Sequence, residues 1–275
     1  MLPMRNFQLI NSLRLCKFDL KINLKTIIGW CIAMFSVMFL YMILFPSIQE
    51  IAKAKMEAMP RELLQFVGME NFSDMSNFVS YYGIIFNLAL IAISIFAVTF
   101  SSNLLYREEK SKTIEFLYSL ETSRLEIYIA KLITAFIGVF VVRCSTMFAA
   151  LLCGFINGGE TFSAMKIFTI TAISGFTSFF FMAVGSALSA VSARIGAPVT
   201  GSMVVIFSYM LGYLGKLLEE NAAWLKYLSP FELFQAEHAL SLNNEIIFAL
   251  IFYLILMVLI CIVGALVYKK RDYVV

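Results

Sequence analysis

The chain has 275 residues, of which 61% are hydrophobic and 14% are charged. Soluble domains are about 45–50% apolar and about 25% charged, so this composition excludes an ordinary water-soluble domain and a disordered chain. The formal net charge of +3 is too small to indicate a nucleic-acid-binding protein.

Six apolar segments predict six membrane-spanning helices. A helix needs about 20 apolar residues to cross the hydrocarbon layer, and each segment is close to that length or longer. Helices are expected because every backbone polar group that faces lipid must be bonded within its own segment. We therefore predict an all-α integral membrane protein that forms a single transmembrane domain over residues 1–275. The predicted spans are about 26–48, 80–106, 132–157, 167–191, 197–215 and 246–268.

The distribution of basic residues predicts the orientation. Fourteen of the 21 lysines and arginines fall in segments that are cytoplasmic if the N-terminus is cytoplasmic, and six fall in the opposite segments. Cytoplasmic segments of membrane proteins carry the excess of Lys and Arg. We therefore expect a multi-pass protein of the cell membrane with both termini in the cytoplasm.

Residues 1–25 are predicted to form an interfacial helix on the cytoplasmic side. Four apolar residues recur at helical spacing beside four basic residues, a pattern typical of a helix that lies at the lipid headgroups. The apolar row is Leu9, Leu13, Cys16 and Leu20, and the basic row is Arg14, Lys17, Lys21 and Lys25. A basic anchor without a defined helix is the alternative.

The inner stretch from Arg107 to Lys131 holds five basic and five acidic residues but also keeps four apolar ones. The apolar residues are Ile114, Phe116, Leu117 and Leu120. They predict a short charged helix that ends near Thr122 and docks one face on a partner. Ser123 and Glu126 have capping-box spacing, so the next helix should begin at Ser123. A solvated connector is the alternative.

Arg143 is the single charged residue near the middle of a predicted span. Such a position costs about 2.5–3.5 kcal/mol on insertion scales, so the side chain should face protein or water. No carboxylate lies in another predicted span to pair with it. Its partner is expected to be Asn87, a backbone carbonyl, a second subunit or a transported molecule. A structural polar cluster and a cavity-lining role both stay open.

The outer segment between residues 216 and 245 contains a strong helix-start signal. Ser229, Pro230 and Glu232 combine an N-cap residue, a proline at the first helical position and the acid of a capping box. Aromatic residues typical of a membrane interface surround this signal. They are Trp224, Tyr227, Phe231 and Phe234. We predict two short helices, roughly 217–228 and 230–240, that dip into the outer leaflet.

The sequence predicts no catalytic, metal or cofactor site. A P-loop is absent, because the one Gly-Lys pair, Gly215-Lys216, lacks the required flanking residues. The sole histidine, His238, has no second histidine with which to form a zinc site or a membrane protease. We do not expect the chain to be an enzyme by itself.

Three of these features together resemble the type-2 ABC-transporter permease family, in the branch with one six-span permease per chain. They are the amphipathic N-terminal helix, the inner motif that continues to Ser123, and the run Leu228-Ser229-Pro230-Phe231. Lys112 stands where the family usually has glycine. The residues of the inner motif are Arg107, Glu108, Glu109, Lys110, Thr113, Ile114, Glu115, Phe116 and Leu117.

The resemblance implies the membrane subunit of an ATP-driven exporter. Two permease chains, identical or related, would work with two cytoplasmic ATPase subunits that hold ATP and Mg²⁺. The inner motif would be the coupling helix that contacts the ATPase. Trp224, Ser229, Pro230 and Phe231 would belong to re-entrant helices that close the outer exit. The substrate would be an amphipathic or hydrophobic compound such as a peptide, an antibiotic or a lipid-like molecule, and Arg143 and Asn87 are candidates for its path.

Two other classes of function stay open at this stage. One is an ion-coupled carrier or channel, although such proteins generally place several ionisable groups at the midplane. The other is a membrane sensor or immunity subunit that binds a ligand without transporting it. Membrane lipid is an expected partner in every case, and nucleic acid is not.

Overall fold

Helices and short connections make up the described part of the chain. The computed structural model describes residues 2–56, 77–110, 123–191, 197–218, 223–241 and 243–270, and these ranges contain no strand. The predicted all-α class is therefore confirmed. The α-helices of these ranges are α1 (Leu2–Ile43), α2 (Phe45–Met56), α3 (Phe78–Lys110), α4 (Arg124–Asn157), α5 (Ala164–Val191), α6 (Ala197–Leu217), α7 (Pro230–Leu233), α8 (Ala236–Ser241) and α9 (Asn244–Lys270).

Six helices among the described residues are long and apolar enough to cross a membrane, which confirms the predicted number of spans. The spanning segments are Ser12–Ile43, Phe78–Arg107, Arg124–Asn157, Ala164–Val191, Pro198–Gly215 and Asn244–Lys270. One end of the bundle therefore holds residues near 12, 107, 124, 191, 198 and 270. The opposite end holds the segment 223–241, which contains α7, α8 and a 3₁₀ helix (Ala223–Leu228).

The N-terminal helix is longer than the sequence predicted. We expected an interfacial helix over residues 1–25 and a separate span from residue 26, but α1 runs without a break from Leu2 to Ile43. Neither glycine nor proline occurs between Met4 and Ile28, so nothing in the sequence interrupts the helix there. The basic N-terminal segment and the first span therefore form one continuous helix.

Helices α3, α4 and α5 form the interior of the bundle, and α1, α6 and α9 surround them. About half of the most apolar part of each inner helix is buried, against 22%, 22% and 11% for the three outer helices. Helix α1 packs on α4, α3 packs on α5 and α6, and α9 packs on α5. The outer face of α9 leaves large apolar side chains such as Phe248 and Phe252 exposed, as lipid contact requires.

Close contact between α3 and α5 depends on a glycine. A Cβ atom on Gly185 would collide with the main chain of Val98 and with the hydroxyl of Ser101. The two helices also share hydrogen bonds, because Ser102 Oγ donates to the Gly185 carbonyl at 2.9 Å and Ser189 Oγ donates to the Ser102 carbonyl at 3.1 Å. Small residues permit this approach, and packing rather than hydrophobicity drives helix association in lipid.

Replacement of Gly185 by alanine should destabilise the bundle by about 1–3 kcal/mol, because the added methyl group forces α3 and α5 apart. The matched control is Gly29→Ala, because nothing lies within 4 Å of a Cβ atom at that position. Thermal unfolding in detergent should show a lower Tm for Gly185→Ala and an unchanged or higher Tm for Gly29→Ala. Equal behaviour of the two variants would contradict the packing described above.

Candidate functional site

The start of α4 has the cap that the sequence predicts. Ser123 is the N-cap residue, and its Oγ accepts a hydrogen bond from the Glu126 amide at 3.3 Å. In return, the Ser123 amide donates to Oε2 of Glu126 at 3.0 Å. The predicted capping box is confirmed, so the segment that joins α3 to α4 ends at a fixed residue.

Only part of the predicted coupling helix lies within the described residues. Arg107, Glu108, Glu109 and Lys110 form the last turn of α3, so they continue the second span without a break. The other five members of the inner motif lie outside the described residues. They are Thr113, Ile114, Glu115, Phe116 and Leu117. Their assignment to an ATPase contact stays a prediction.

A buried ion cluster joins three helices at the end of the bundle where α3 ends and α4 begins. Nη2 of Arg107 donates to Oδ1 of Asp19 at 2.8 Å, and Nζ of Lys131 lies 3.8 Å from Oδ2 of the same carboxylate. Lys131 Nζ also donates to the main-chain oxygen of Leu104. The side chains of Asp19 and Lys131 are only 6% and 4% exposed, whereas that of Arg107 is 31% exposed. One carboxylate therefore faces two cations in a largely water-free site.

The cluster fixes both ends of the segment that links α3 to α4. Asp19 lies on α1, Arg107 lies on the last turns of α3, and Lys131 lies on the second turn of α4. Residues 111–122 lie between those two helix ends. The ion cluster thus ties the N-terminal helix to both flanks of the charged stretch in which the sequence predicts a docking helix.

Sequence reasoning missed Asp19, although a signal was present. Asp19 is the only acidic residue before Glu50, and it occurs within a row of basic residues. It follows Cys16 by three positions, which places it on the apolar face of the helix rather than on the basic face. Both residues are buried, at 4% exposure each. An isolated acid on the buried face of a basic helix predicts an internal ion pair.

Replacement of Asp19 by asparagine should destabilise the protein by about 3–5 kcal/mol, because it removes the carboxylate that the buried Lys131 and Arg107 face. The double variant Asp19→Asn/Lys131→Met should recover part of this loss, since it removes one of the two cations that faced the lost carboxylate. Reversible unfolding of the purified chain in detergent measures both free energies. An additive or larger loss in the double variant would argue against the ion cluster.

Arg143 forms a second polar cluster, deep inside the bundle. Its Nη2 donates to the Thr171 carbonyl, and its guanidinium carbon lies 5.0 Å from the ring centroid of Phe179. The guanidinium group occupies the space that a Cβ atom on Gly175 would need. Because Gly175 has no side chain, the guanidinium can reach the Thr171 carbonyl one helical turn earlier on α5. The cation–π contact with Phe179 adds to this hydrogen bond.

The Arg143 cluster extends to α3 but does not include Asn87. The Tyr82 hydroxyl and Thr171 Oγ1 lie 2.6 Å apart, so α3, α4 and α5 meet at Thr171. Among the described residues, neither Nε of Arg143 nor Oδ1 of Asn87 has a hydrogen-bond partner, and the two do not bond each other. Of the partners expected for Arg143, a backbone carbonyl is the one observed. Arg143 is buried, at 6% exposure.

Replacement of Gly175 by alanine should displace the Arg143 guanidinium and destabilise the bundle by about 1–3 kcal/mol. The same substitution in an Arg143→Leu background should cost less, because the smaller leucine leaves room for the methyl group. A double-mutant cycle on thermal or denaturant unfolding measures this difference. Equal destabilisation by Gly175→Ala in the two backgrounds would show that the Arg143 guanidinium does not occupy the space beside Gly175.

The outer segment differs in detail from the prediction. In place of one helix over 230–240 the chain forms α7 and α8, and residues 223–228 of the other predicted helix, 217–228, form a 3₁₀ helix. Residues 219–222 of that prediction lie outside the described residues. A helix does begin at Pro230, but the Ser229 side chain makes no capping bond. Ser229 instead lies against Gly212 of α6, where a Cβ atom would meet its hydroxyl at 2.7 Å. Close packing on α6 therefore replaces the expected cap.

Helix α5 supplies the hydrogen bonds that stabilise the broken outer helices. Thr177 Oγ1 donates to the Pro230 carbonyl at 3.2 Å, and Ser174 Oγ donates to the Phe234 carbonyl at 2.6 Å. Phe231 is 2% exposed and packs its ring 5.3 Å from that of Phe181. Of the four predicted gate residues, Ser229, Pro230 and Phe231 are buried together, whereas Trp224 is 62% exposed.

Six spanning helices with polar clusters buried among them define a multi-pass membrane protein. The described residues contain no group of three or more His, Cys, Asp or Glu side chains that is placed to hold a metal ion. Residues 17–269 match the model of a family described as multidrug efflux system permease Rv1217c, C-terminal domain. The match covers more than half of the chain, so the chain belongs to this family and is a membrane permease of the efflux type. No curated protein matches the sequence.

Proposed function

We propose that this chain is the membrane subunit of an ATP-driven exporter of the ABC type. Two permease chains would form the transmembrane pathway, and two separate cytoplasmic ATPase subunits would hold ATP and Mg²⁺. The family match supports export of drug-like amphipathic or hydrophobic compounds. The excess of basic residues at the end of the bundle that holds Asp19 supports a cell-membrane protein with both termini in the cytoplasm.

The observation that carries this proposal is the ion cluster of Asp19, Arg107 and Lys131. A force applied to residues 111–122 by a partner would reach α1, α3 and α4 together, because one carboxylate joins all three helices. The charged and apolar residues of the inner motif suit a helix that docks on another protein. The sequence lacks a P-loop, so an ATP-driven mechanism would need an ATPase partner.

An ion-coupled carrier is less consistent with these contacts. Its mechanism would require an ionisable group near the midplane that is available to an ion or a proton. Arg143 is the candidate in the sequence, and its guanidinium is already bonded to Thr171 and lies over Phe179.

The double variant Glu108→Lys/Ile114→Asp should separate ATP hydrolysis from transport. Charge reversal and a buried carboxylate would both weaken docking of the inner motif on the ATPase. The measurement is ATP-dependent flux of amphipathic dyes in proteoliposomes that contain this chain and the ATPase with which it copurifies. The control is Glu160→Lys, because Glu160 is exposed at the opposite end of the bundle.

Unchanged copurification and unchanged flux in the double variant would remove the coupling-helix assignment. Flux by the chain alone, without an ATPase, would favour the ion-coupled carrier. ATP hydrolysis by the wild-type complex without flux of any compound would favour a sensor or immunity subunit.

A further inference from the structure

Four basic residues form a row along one face of α1. They follow one another at intervals of three, four and four residues, so they fall within about 80° around the helix axis and extend over about 16 Å of its length. All four side chains are exposed. The residues of this basic row are Arg14, Lys17, Lys21 and Lys25.

The basic row lies on the side of α1 that faces away from the bundle. On the opposite side of the helix, Cys16, Asp19 and Ile27 are buried. Asp19 is the only acidic residue before Glu50, and its carboxylate faces the cations of α3 and α4 inside the bundle. No ion pair between described residues includes a member of the basic row. The outer face of α1 therefore presents a line of positive charge to its surroundings.

The length of the first span places the basic row at the level of the lipid headgroups. The spanning segment Ser12–Ile43 has 32 residues and therefore measures about 48 Å, whereas the hydrocarbon layer is about 30 Å thick. Residues 26–43 carry no charge and measure about 27 Å, which nearly fills that layer. The basic row precedes them directly, so it extends from the hydrocarbon boundary into the headgroup layer.

Large apolar side chains border the basic row on both sides, and each is between 48% and 61% exposed. Leu13 and Leu24 lie on one side, and Phe18 and Ile22 lie on the other. Exposed apolar groups beside lysines suit the boundary between headgroups and acyl chains, because the stems contact apolar lipid while the ammonium groups reach phosphates. A bilayer supplies both contacts at the same level.

A second copy of the chain is a poor occupant of this face. A two-fold contact brings the same patch of both subunits together, so the two basic rows would face each other. Like charges would then repel, and the one acidic residue of α1 near the row, Asp19, is buried on the other side of the helix. The charge of the row instead favours an anionic partner.

We propose that the outer face of α1 is a binding site for anionic phospholipids, such as phosphatidylglycerol. The lipid phosphate would accept charge-assisted hydrogen bonds from Lys17 and Lys21 at the centre of the basic row. The upper part of the acyl chains would contact Ile22 and Leu24. Each lysine or arginine near an anionic membrane surface strengthens binding about fivefold, so a row of four discriminates clearly between anionic and zwitterionic lipids. This site depends neither on export nor on an ATPase.

The test is a lipid titration of the full chain in neutral detergent, read by native mass spectrometry. It compares phosphatidylglycerol with phosphatidylcholine of the same acyl chains. We expect at least fivefold tighter binding of phosphatidylglycerol. Lys17→Gln/Lys21→Gln should weaken that binding about ten- to thirtyfold, the loss of two charge contacts, and should leave phosphatidylcholine within twofold. Lys17→Arg/Lys21→Arg keeps both charges and should bind phosphatidylglycerol as the parent does.

The matched control is Lys269→Gln/Lys270→Gln. It removes the same charge at the same end of the bundle, but from two exposed residues of α9. Binding of phosphatidylglycerol should change less than twofold in this variant. An equal loss in the two glutamine variants would show that only the total positive charge of this end attracts lipid, and it would overturn the proposal. Every substituted side chain is exposed, so Tm should stay unchanged in all three variants.

Two further results would also overturn the proposal. One is equal affinity of the parent chain for phosphatidylglycerol and phosphatidylcholine. The other is loss of a copurifying ATPase from Lys17→Gln/Lys21→Gln while phosphatidylglycerol binding is unchanged, which would assign the face to an acidic surface of a protein. The lipid titration includes neither an ATPase nor a flux measurement, so its outcome is independent of the export proposal.

Discussion

The Asp19 carboxylate holds together the end of the bundle on which the proposed function depends. It faces Arg107 and Lys131 in a site where little water remains, and it lies on a different helix from each of them. An ion pair of this kind is not a large net source of stability, but removal of one member is costly. Its effect is geometric, because one carboxylate on α1 contacts a cation on α3 and another on α4. The helices on either side of residues 111–122 are therefore joined through Asp19.

The Arg143 cluster also stabilises a buried cation, but it does so without a carboxylate. A main-chain carbonyl of a helix has a second lone pair, and Gly175 gives the guanidinium access to it at Thr171. The ring of Phe179 lies against the cation at 5.0 Å. The two clusters, one at the end of the bundle and one inside it, both connect α3 and α4; the first adds α1 and the second adds α5. The outer helices remain free to face lipid or a second copy of the chain.

The sequence predicted the large-scale fold well, because span length and apolar content are set by the bilayer. It also predicted the start of α4 at Ser123, where the capping residues are local. It did not predict that Asp19 would be buried in an ion cluster or that Gly175 would leave room for the Arg143 guanidinium. Both depend on which helices pack against each other. The broken helices around Ser229 were only partly predicted, since Ser229 packs on Gly212 of α6 instead of capping the helix, and Ser174 and Thr177 of α5 bond to carbonyls of the broken segment. The predicted ATPase contact at Thr113–Leu117 lies outside the described residues.

Whether Asp19 fastens α1 to α4 is tested most directly by a distance between these helices. Spin labels at Leu13 and Leu125, both exposed, report it by pulsed electron paramagnetic resonance in a background without the native cysteines. We predict one narrow distance distribution in the parent protein, and a broad or shifted distribution after Asp19→Asn. An identical narrow distribution in the two proteins would show that the ion cluster does not hold the helices together.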